Sequence, residues 1–176
     1  CGAGVANALA LLDLAGPGSD VPVACGDPVP LDGFFVFPEP WQEDMDRLSG
    51  VPVPVSGRSP SPMHAVELLH RSVAGVERPV VVLATGPLTN IAQWMARYPD
   101  DGARIARLVI MGGNVDVPGN IIVPGFTDGH PNSGAEWNLF VDPVAADRVL
   151  SSDLPMELVG LDVTNQVRVT RAFARD

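Results

Sequence analysis

Residues 107–113 read Arg-Leu-Val-Ile-Met-Gly-Gly, and residues 134–143 read Gly-Ala-Glu-Trp-Asn-Leu-Phe-Val-Asp-Pro. The first is a short apolar strand that stops at a glycine pair. The second ends in a helix start, with Asp142 as N-cap and Pro143 at the first helical position, where a missing N–H costs nothing. Between them lies a polar loop rich in Gly, Pro, Asn and Asp. A strand therefore brings the chain to a loop of polar groups and a helix, expected through Leu150, carries it away. In an open α/β sheet, ligands bind in the crevice beyond the carboxyl ends of the strands.

The same strand, loop and helix pattern occurs upstream. Val80-Val81-Val82-Leu83-Ala84 is a continuous apolar run, the pattern of a parallel strand buried on both faces. Thr85-Gly86-Pro87-Leu88 turns the chain, and Thr89 or Asn90 begins a helix with Ile91, Trp94, Met95 and Tyr98 on its inner side. A third strand is expected from Met156 to Leu161, and Thr170 reads as the N-cap of a further helix. This alternation predicts an open, mainly parallel sheet with right-handed crossovers and helices on both faces.

Ahead of these units, Ala3 to Ala15 reads as a helix with Val5, Ala8, Leu9 and Leu12 on one face. Val21 to Ala24 reads as a short buried strand. Residues 31–62 mix Pro, Gly, aromatic and acidic residues, and irregular chain of that length usually forms a functional loop. Phe34, Phe35, Phe37 and Trp41 either cover a planar ligand or pack this loop onto the core. Ser61 and Pro62 are expected to cap a helix through Ala74 with Met63, Val66, Leu69 and Val73 buried. His64 and His70, on or near that helix, read as surface or structural histidines. The run Cys1-Gly2-Ala3-Gly4 invites a dinucleotide-fingerprint reading, but Asn7 occupies the third glycine position and no strand precedes it.

The chain has 176 residues, which suit one α/β domain over residues 1–176, and 46% of them are hydrophobic, which argues against disorder. A formal charge of −10 disfavours nucleic acid or an anionic membrane as partner. No run approaches the roughly 18 apolar residues that span a bilayer. The start lacks the basic region of a signal peptide and an initiator Met, so a fragment or processed chain is expected; a cytoplasmic location is expected unless a signal precedes residue 1. Two cysteines, Cys1 and Cys25, are too few for a disulfide framework and are expected as free thiols.

The candidate site lies in the quoted loop. If residues 136–140 are extended, Glu136 and Asn138 point one way and Trp137 and Leu139 the other. A carboxylate beside a carboxamide can grip the vicinal hydroxyls of a sugar, or the two can simply satisfy loop backbone groups.

Three stretches, in order, resemble the inosine-uridine preferring nucleoside hydrolases. They are Ala84-Thr85-Gly86-Pro87-Leu88-Thr89-Asn90; then Met111-Gly112-Gly113, Gly119-Asn120, Ala135-Glu136-Trp137-Asn138 and Asp142-Pro143; then Gly160-Leu161-Asp162-Val163-Thr164. The resemblance implies a Rossmann-like sheet of the nucleoside hydrolase type, here incomplete at both ends. It implies hydrolysis of the N-glycosidic bond of a ribonucleoside to ribose and free base, assisted by calcium.

Carried over by position, Thr85 supplies a backbone carbonyl to calcium. Asn120, Glu136 and Asn138 hold the ribose, and Met111 lies against it. Asp142 is expected to be structural, and Asp162 a strand-end cap rather than a metal ligand. The family's aspartate cluster, which carries the general base and main calcium carboxylates, and its C-terminal His-Asp pair do not occur in these residues. No catalytic residue is therefore assigned within the chain, and the expectation is one wall of a site with a small nucleoside as partner. The loop from Ile121 to Ser133 is long, resembling bacterial or plant branches, and its His130 either reaches the pocket or is a mobile loop histidine, the second being the expectation. A non-catalytic nucleoside- or sugar-binding module, and a pseudoenzyme acting as an oligomer partner, are the alternatives. A homo-oligomer is compatible with all three.

Overall fold

The computed structural model describes residues 2–16, 20–33 and 37–173. Its elements are α1 (Gly2–Leu14), α2 (Glu39–Asp46), α3 (Ala65–Ala74), β1 (Val80–Ala84), α4 (Thr89–Arg97), β2 (Ile105–Met111), α5 (Trp137–Val141), α6 (Pro143–Leu150), β3 (Met156–Val159) and α7 (Leu161–Thr164). Short 3-10 turns follow α2 at Leu48–Gly50 and α4 at Pro99–Arg104.

The three strands form one parallel sheet in the order β1-β2-β3. Val82 pairs with Leu108 and Ala84 with Ile110, and in a parallel ladder paired residues share a face. All four are buried and join Leu88, Ala92, Trp94, Ala145 and Val149 in the main core. Helices α4 and α6 thus cover this face, as two successive crossovers of the same hand require when strands are laid down in sequence order.

The other face carries Val81 and Leu83, which are 57% and 67% exposed. The apolar run of β1 is therefore buried on one face in this chain, where the sequence pattern predicts both. Hydropathy reports that a strand can be buried twice over; a second covering layer is a matter of tertiary packing.

Several boundaries differ from the sequence reading for physical reasons. Val21 to Ala24 joins no sheet: Pro22 has no N–H to donate, and the segment bonds instead to the approach to α3, where Ser61 N donates to Val23 O at 2.8 Å and Ala65 N to Cys25 O at 2.7 Å. The cap of α3 is His64, whose Nδ1 accepts from Val66 N at 3.3 Å, while Ser61 closes a local turn onto Met63 N. The irregular stretch contains α2, and Phe37 and Trp41 pack on Trp137 with ring centroids 5.4 and 5.8 Å apart, which favours loop packing over ligand cover. Phe34 and Phe35 lie outside the described residues. Cys25 is disulfide-bonded, which corrects the free-thiol expectation for it; Cys1 lies outside the described residues. Among the described residues no helix is long and apolar enough to cross a membrane.

Both α3 histidines are structural. His70 stacks on Tyr98 at 3.9 Å and bonds through Nδ1 to the buried carboxylate of Asp101 at 2.9 Å, and Trp94 Nε1 donates to the same carboxylate at 2.8 Å. His64 lies 3.5 Å from Asp27.

Candidate functional site at the carboxyl edge of the sheet

Strand β2 ends at Met111, and β1 ends one residue short of Thr85, whose neighbour Ala84 pairs with Ile110. Thr85 and Met111 therefore leave the same sheet edge side by side. Beyond Met111 the chain runs through Gly112 and Gly113 and a long loop, and returns at Glu136.

Residues 136–140 are not extended. Glu136 is the N-cap of α5, and Trp137 to Val141 are helical, so the alternation expected of a strand does not apply. The cause lies in Glu136: its Oε1 accepts from Asn138 N at 2.9 Å and its Oε2 from Leu139 N at 3.2 Å, satisfying two of the N–H groups that a helix start leaves unpaired. Oε2 also accepts from Gly113 N at 3.2 Å. With 2% of its surface exposed, Glu136 is a buried carboxylate whose contacts are backbone N–H groups.

The other three sugar-site candidates gather around it. Asn138 Nδ2 donates to Met111 O at 3.0 Å and lies 3.1 Å from Met111 Sδ, which joins α5 to the end of β2. Asn120 Oδ1 accepts from Trp137 N at 2.8 Å, and Asn120 N donates to Ala135 O at 3.0 Å. The two loop limbs meet so closely that a Cβ on Gly119 would sit 2.1 Å from Ala135 O, so only glycine fits there. Met111, Asn120, Glu136 and Asn138 are thus one hydrogen-bonded unit, with Thr85 just past the end of the adjoining strand.

Asp142 is fully buried and structural, as its Asp-Pro context predicts. It accepts from Ala145 N at 3.0 Å, from Leu31 N at 2.7 Å and from Thr89 Oγ1 at 2.6 Å, fastening the loop after residue 27 to α4 and α6. The sequence signals its cap but not its two distant partners. Asp162 lies in α7, past the end of β3, and caps a loop rather than a strand. Its Oδ2 and Oδ1 accept from Val115 N and Asp116 N, each at 2.8 Å. These two bonds hold its carboxyl below the ordinary range.

The long loop is folded. Ile121 is fully buried with Trp137, Phe140 and Val141 in a second small core. Thr127 Oγ1 donates to Ile121 O and accepts from Val123 N, and His130 packs edge-on against Phe140 at 5.0 Å. A cavity of about 480 Å³ opens near this edge between Pro87, Thr89, Asn90, Val141, Phe37 and Gln42; its lining does not include Met111, Glu136 or Asn138.

Calcium takes six to eight oxygens. The Thr85 carbonyl offers one, and no three His, Cys, Asp or Glu side chains converge among the described residues. The carboxylates nearest this edge are committed elsewhere, Glu136 and Asp162 to backbone N–H groups and Asp142 to two N–H groups and a hydroxyl. The described residues do not fit a calcium cage, and their contribution is the polar wall itself.

Fold and edge together define an open-sheet α/β protein whose polar groups cluster where the strands end. Residues 2–176 match the family model described as inosine-uridine preferring nucleoside hydrolase, and the chain belongs to that family. It is 37% identical over 163 residues to the pyrimidine-specific ribonucleoside hydrolase RihA of Shewanella sp. (strain ANA-3), covering 93% of this chain and 47% of that protein. Among solved structures it is similar to a purine-preferring ribonucleoside hydrolase from Gardnerella vaginalis, with a TM-score of 0.78, 32% identity, and coverage of 96% of this chain and 51% of that one. An inosine-uridine preferring nucleoside hydrolase from Bacillus anthracis gives a TM-score of 0.75 at 27% identity, over 96% of this chain and 54% of that one. The chain spans about half the length of these relatives.

Proposed function

We propose that this chain forms the sugar-holding wall of a ribonucleoside hydrolase, a site in which water replaces the base at the anomeric carbon and yields ribose and free base. The observation that carries the reading is the hydrogen-bonded unit of Asn120, Glu136, Asn138 and Met111 at the sheet edge where Thr85 follows β1. A carboxylate has about four acceptor positions. Glu136 uses three on N–H groups and keeps one for a hydroxyl. Asn138, with its amide nitrogen on Met111, offers its carbonyl oxygen, and Asn120, with its oxygen on Trp137 N, offers its amide nitrogen. Two acceptors and one donor suit a vicinal diol, which has two O–H groups to give and oxygen lone pairs to receive.

The transition state of glycoside cleavage has oxocarbenium character, with positive charge growing on the anomeric carbon and ring oxygen. A buried carboxylate held in place by backbone dipoles is already oriented for that charge, and interactions that tighten there accelerate the reaction. Thr85 is proposed to lend its carbonyl to a cation at this edge, and Met111 to lie against the sugar's apolar face. The relatives differ in base preference, so the substrate class proposed is the ribonucleoside and not one base.

The occupation of Glu136 by three N–H donors makes it a holder of the ligand, which equally suits a binding module without turnover. Titration with uridine and inosine, followed by ligand-observed NMR and by release of reducing sugar, tests both. Saturable binding that Asn138→Ala weakens at least about tenfold supports the sugar wall, the loss expected for one charge-assisted or multiple hydrogen bonds. Sugar release separates hydrolase from binder. No saturable binding of either nucleoside overturns the proposal.

A further inference from the structure

The polar wall hangs on a loop whose other side is held by a residue that touches none of the sugar-facing groups. Asp162, on the first turn after β3, receives Val115 N and Asp116 N on its two carboxylate oxygens, each at 2.8 Å, across 46 and 47 residues of sequence. The same seam continues through backbone bonds, with Leu161 N donating to Gly113 O at 2.9 Å and Gly112 N to Val159 O at 3.2 Å. The approach is close enough that a Cβ on Gly160 would lie 2.8 Å from Gly113 O. From its far side this loop reaches the wall twice. Gly113 N donates to Glu136 Oε2 at 3.2 Å, and Asn114 Nδ2 donates to Gly134 O at 3.0 Å, two residues before Glu136.

We infer that Asp162 is a positioning residue for the sugar-facing carboxylate Glu136, acting through the Gly113–Asp116 loop that it holds; the inference rests on the sugar-wall reading above. The loop is short and polar, and Val115 and Asp116 are exposed, so burial does not fix it. Charge-assisted bonds to one carboxylate hold its Val115–Asp116 end while the backbone seam holds Gly112 and Gly113, and the two together set where the Gly113 N–H points. Glu136 has three backbone donors, two from its own helix start and one from this loop. Losing the third leaves the cap intact but frees the carboxylate to turn about it.

Asp162→Asn tests this, because an amide presents one oxygen where two N–H donors must be met. In the full chain, uridine and inosine are expected to bind about tenfold more weakly, with an unchanged circular dichroism spectrum. The same substitution made in a Glu136→Gln background is expected to change binding less than about twofold, since coupled residues are non-additive while a general loss of structure adds. Equal losses in both backgrounds overturn the inference.

A second measurement needs no ligand. Amide hydrogen exchange is expected to quicken at Val115 and Asp116, which Asp162 touches, and also about tenfold at Gly113, which it does not. Unchanged exchange at Gly113 overturns the inference whatever the nucleosides do. If the parent protein binds no nucleoside, the sugar-wall reading fails separately, and the Gly113 amide still reports whether Asp162 sets the contact to Glu136. Should Asp162→Asn not fold, Asp162→Glu keeps the charge, shifts the carboxylate by one methylene and gives the same readouts.

Discussion

At the scale of single residues, the buried carboxylates decide what this chain can hold. Glu136 opens α5 as its N-cap and, in the function proposed, keeps one acceptor position for a ligand, so stability and binding should separate on substitution. Glu136→Ala is expected to cost about 1–2 kcal/mol, the usual range for losing an N-cap, measured by urea denaturation. Glu136→Gln keeps one cap oxygen and should cost less, while still weakening nucleoside binding. Asp142 is expected to be the more sensitive position. Asp142→Asn sets an amide group against donors from Leu31, Thr89 and Ala145, and about 2–4 kcal/mol of destabilisation is expected in the same assay. A melting temperature within 1–2 °C of the parent, roughly what under half a kcal/mol produces, would show that Asp142 is not the fastener described.

At the scale of elements, α3 and the turn after α4 are joined by His70, Asp101 and Trp94. His70→Ala removes one of two side-chain partners of a buried carboxylate and should cost about 1–3 kcal/mol. His70→Asn, which can still donate, should recover part of it. Two other carboxylates contribute to the pH dependence of stability. Glu67 is held below its ordinary value of 4.5 by hydrogen bonds from Tyr98 and then Arg71, and Asp162 below 3.8 by the N–H groups of Asp116 and Val115. A folded value below the unfolded one means stability that is present above the unfolded value and lost as pH falls through the folded one. The melting temperature of the parent should therefore fall more steeply below about pH 4.5 than that of Asp162→Asn or Glu67→Gln. Tyr98 is raised from 10.0 by the same Glu67 bond, so its contribution is full below that value and is lost only in strong alkali.

The strands show how far an apolar pattern reaches. The runs Val80 to Ala84 and Leu108 to Met111 locate β1 and β2 and their parallel pairing, because short apolar runs between helical segments have few other homes. They do not reveal which face is covered. Leu108→Ala, at a fully buried position, should cost about 2–5 kcal/mol, whereas Leu83→Ala, on the open face, should cost under about 0.5 kcal/mol. Comparable losses at both would mean that the second face is covered in solution.

At the scale of the whole molecule, the sheet, the helix layer over one face and the second core under the long loop bring residues 85, 111, 120, 136 and 138 to one edge. The disulfide at Cys25 adds a covalent tie to the early segment. Cys25 should resist alkylation until a reductant is added, and mass spectrometry of the intact chain reads this directly; immediate labelling would contradict the bond.

The sequence by itself determined the alternation of strand and helix, the Asp142-Pro143 helix start, the identity of the polar residues at the sheet edge and the family they resemble. All of these are carried by spacing, caps and residue type within a few positions. Only the tertiary structure decided that Glu136 is a helix cap rather than a strand residue, that Asp142 fastens three segments, and that Asp162 holds the loop after β2. The Glu136 cap itself is local, made to Asn138 N and Leu139 N, but its third donor, Gly113 N, and the distant partners of Asp142 and Asp162 come from 20 to more than 100 residues away, and local spacing cannot encode a partner that arrives only when the chain has folded.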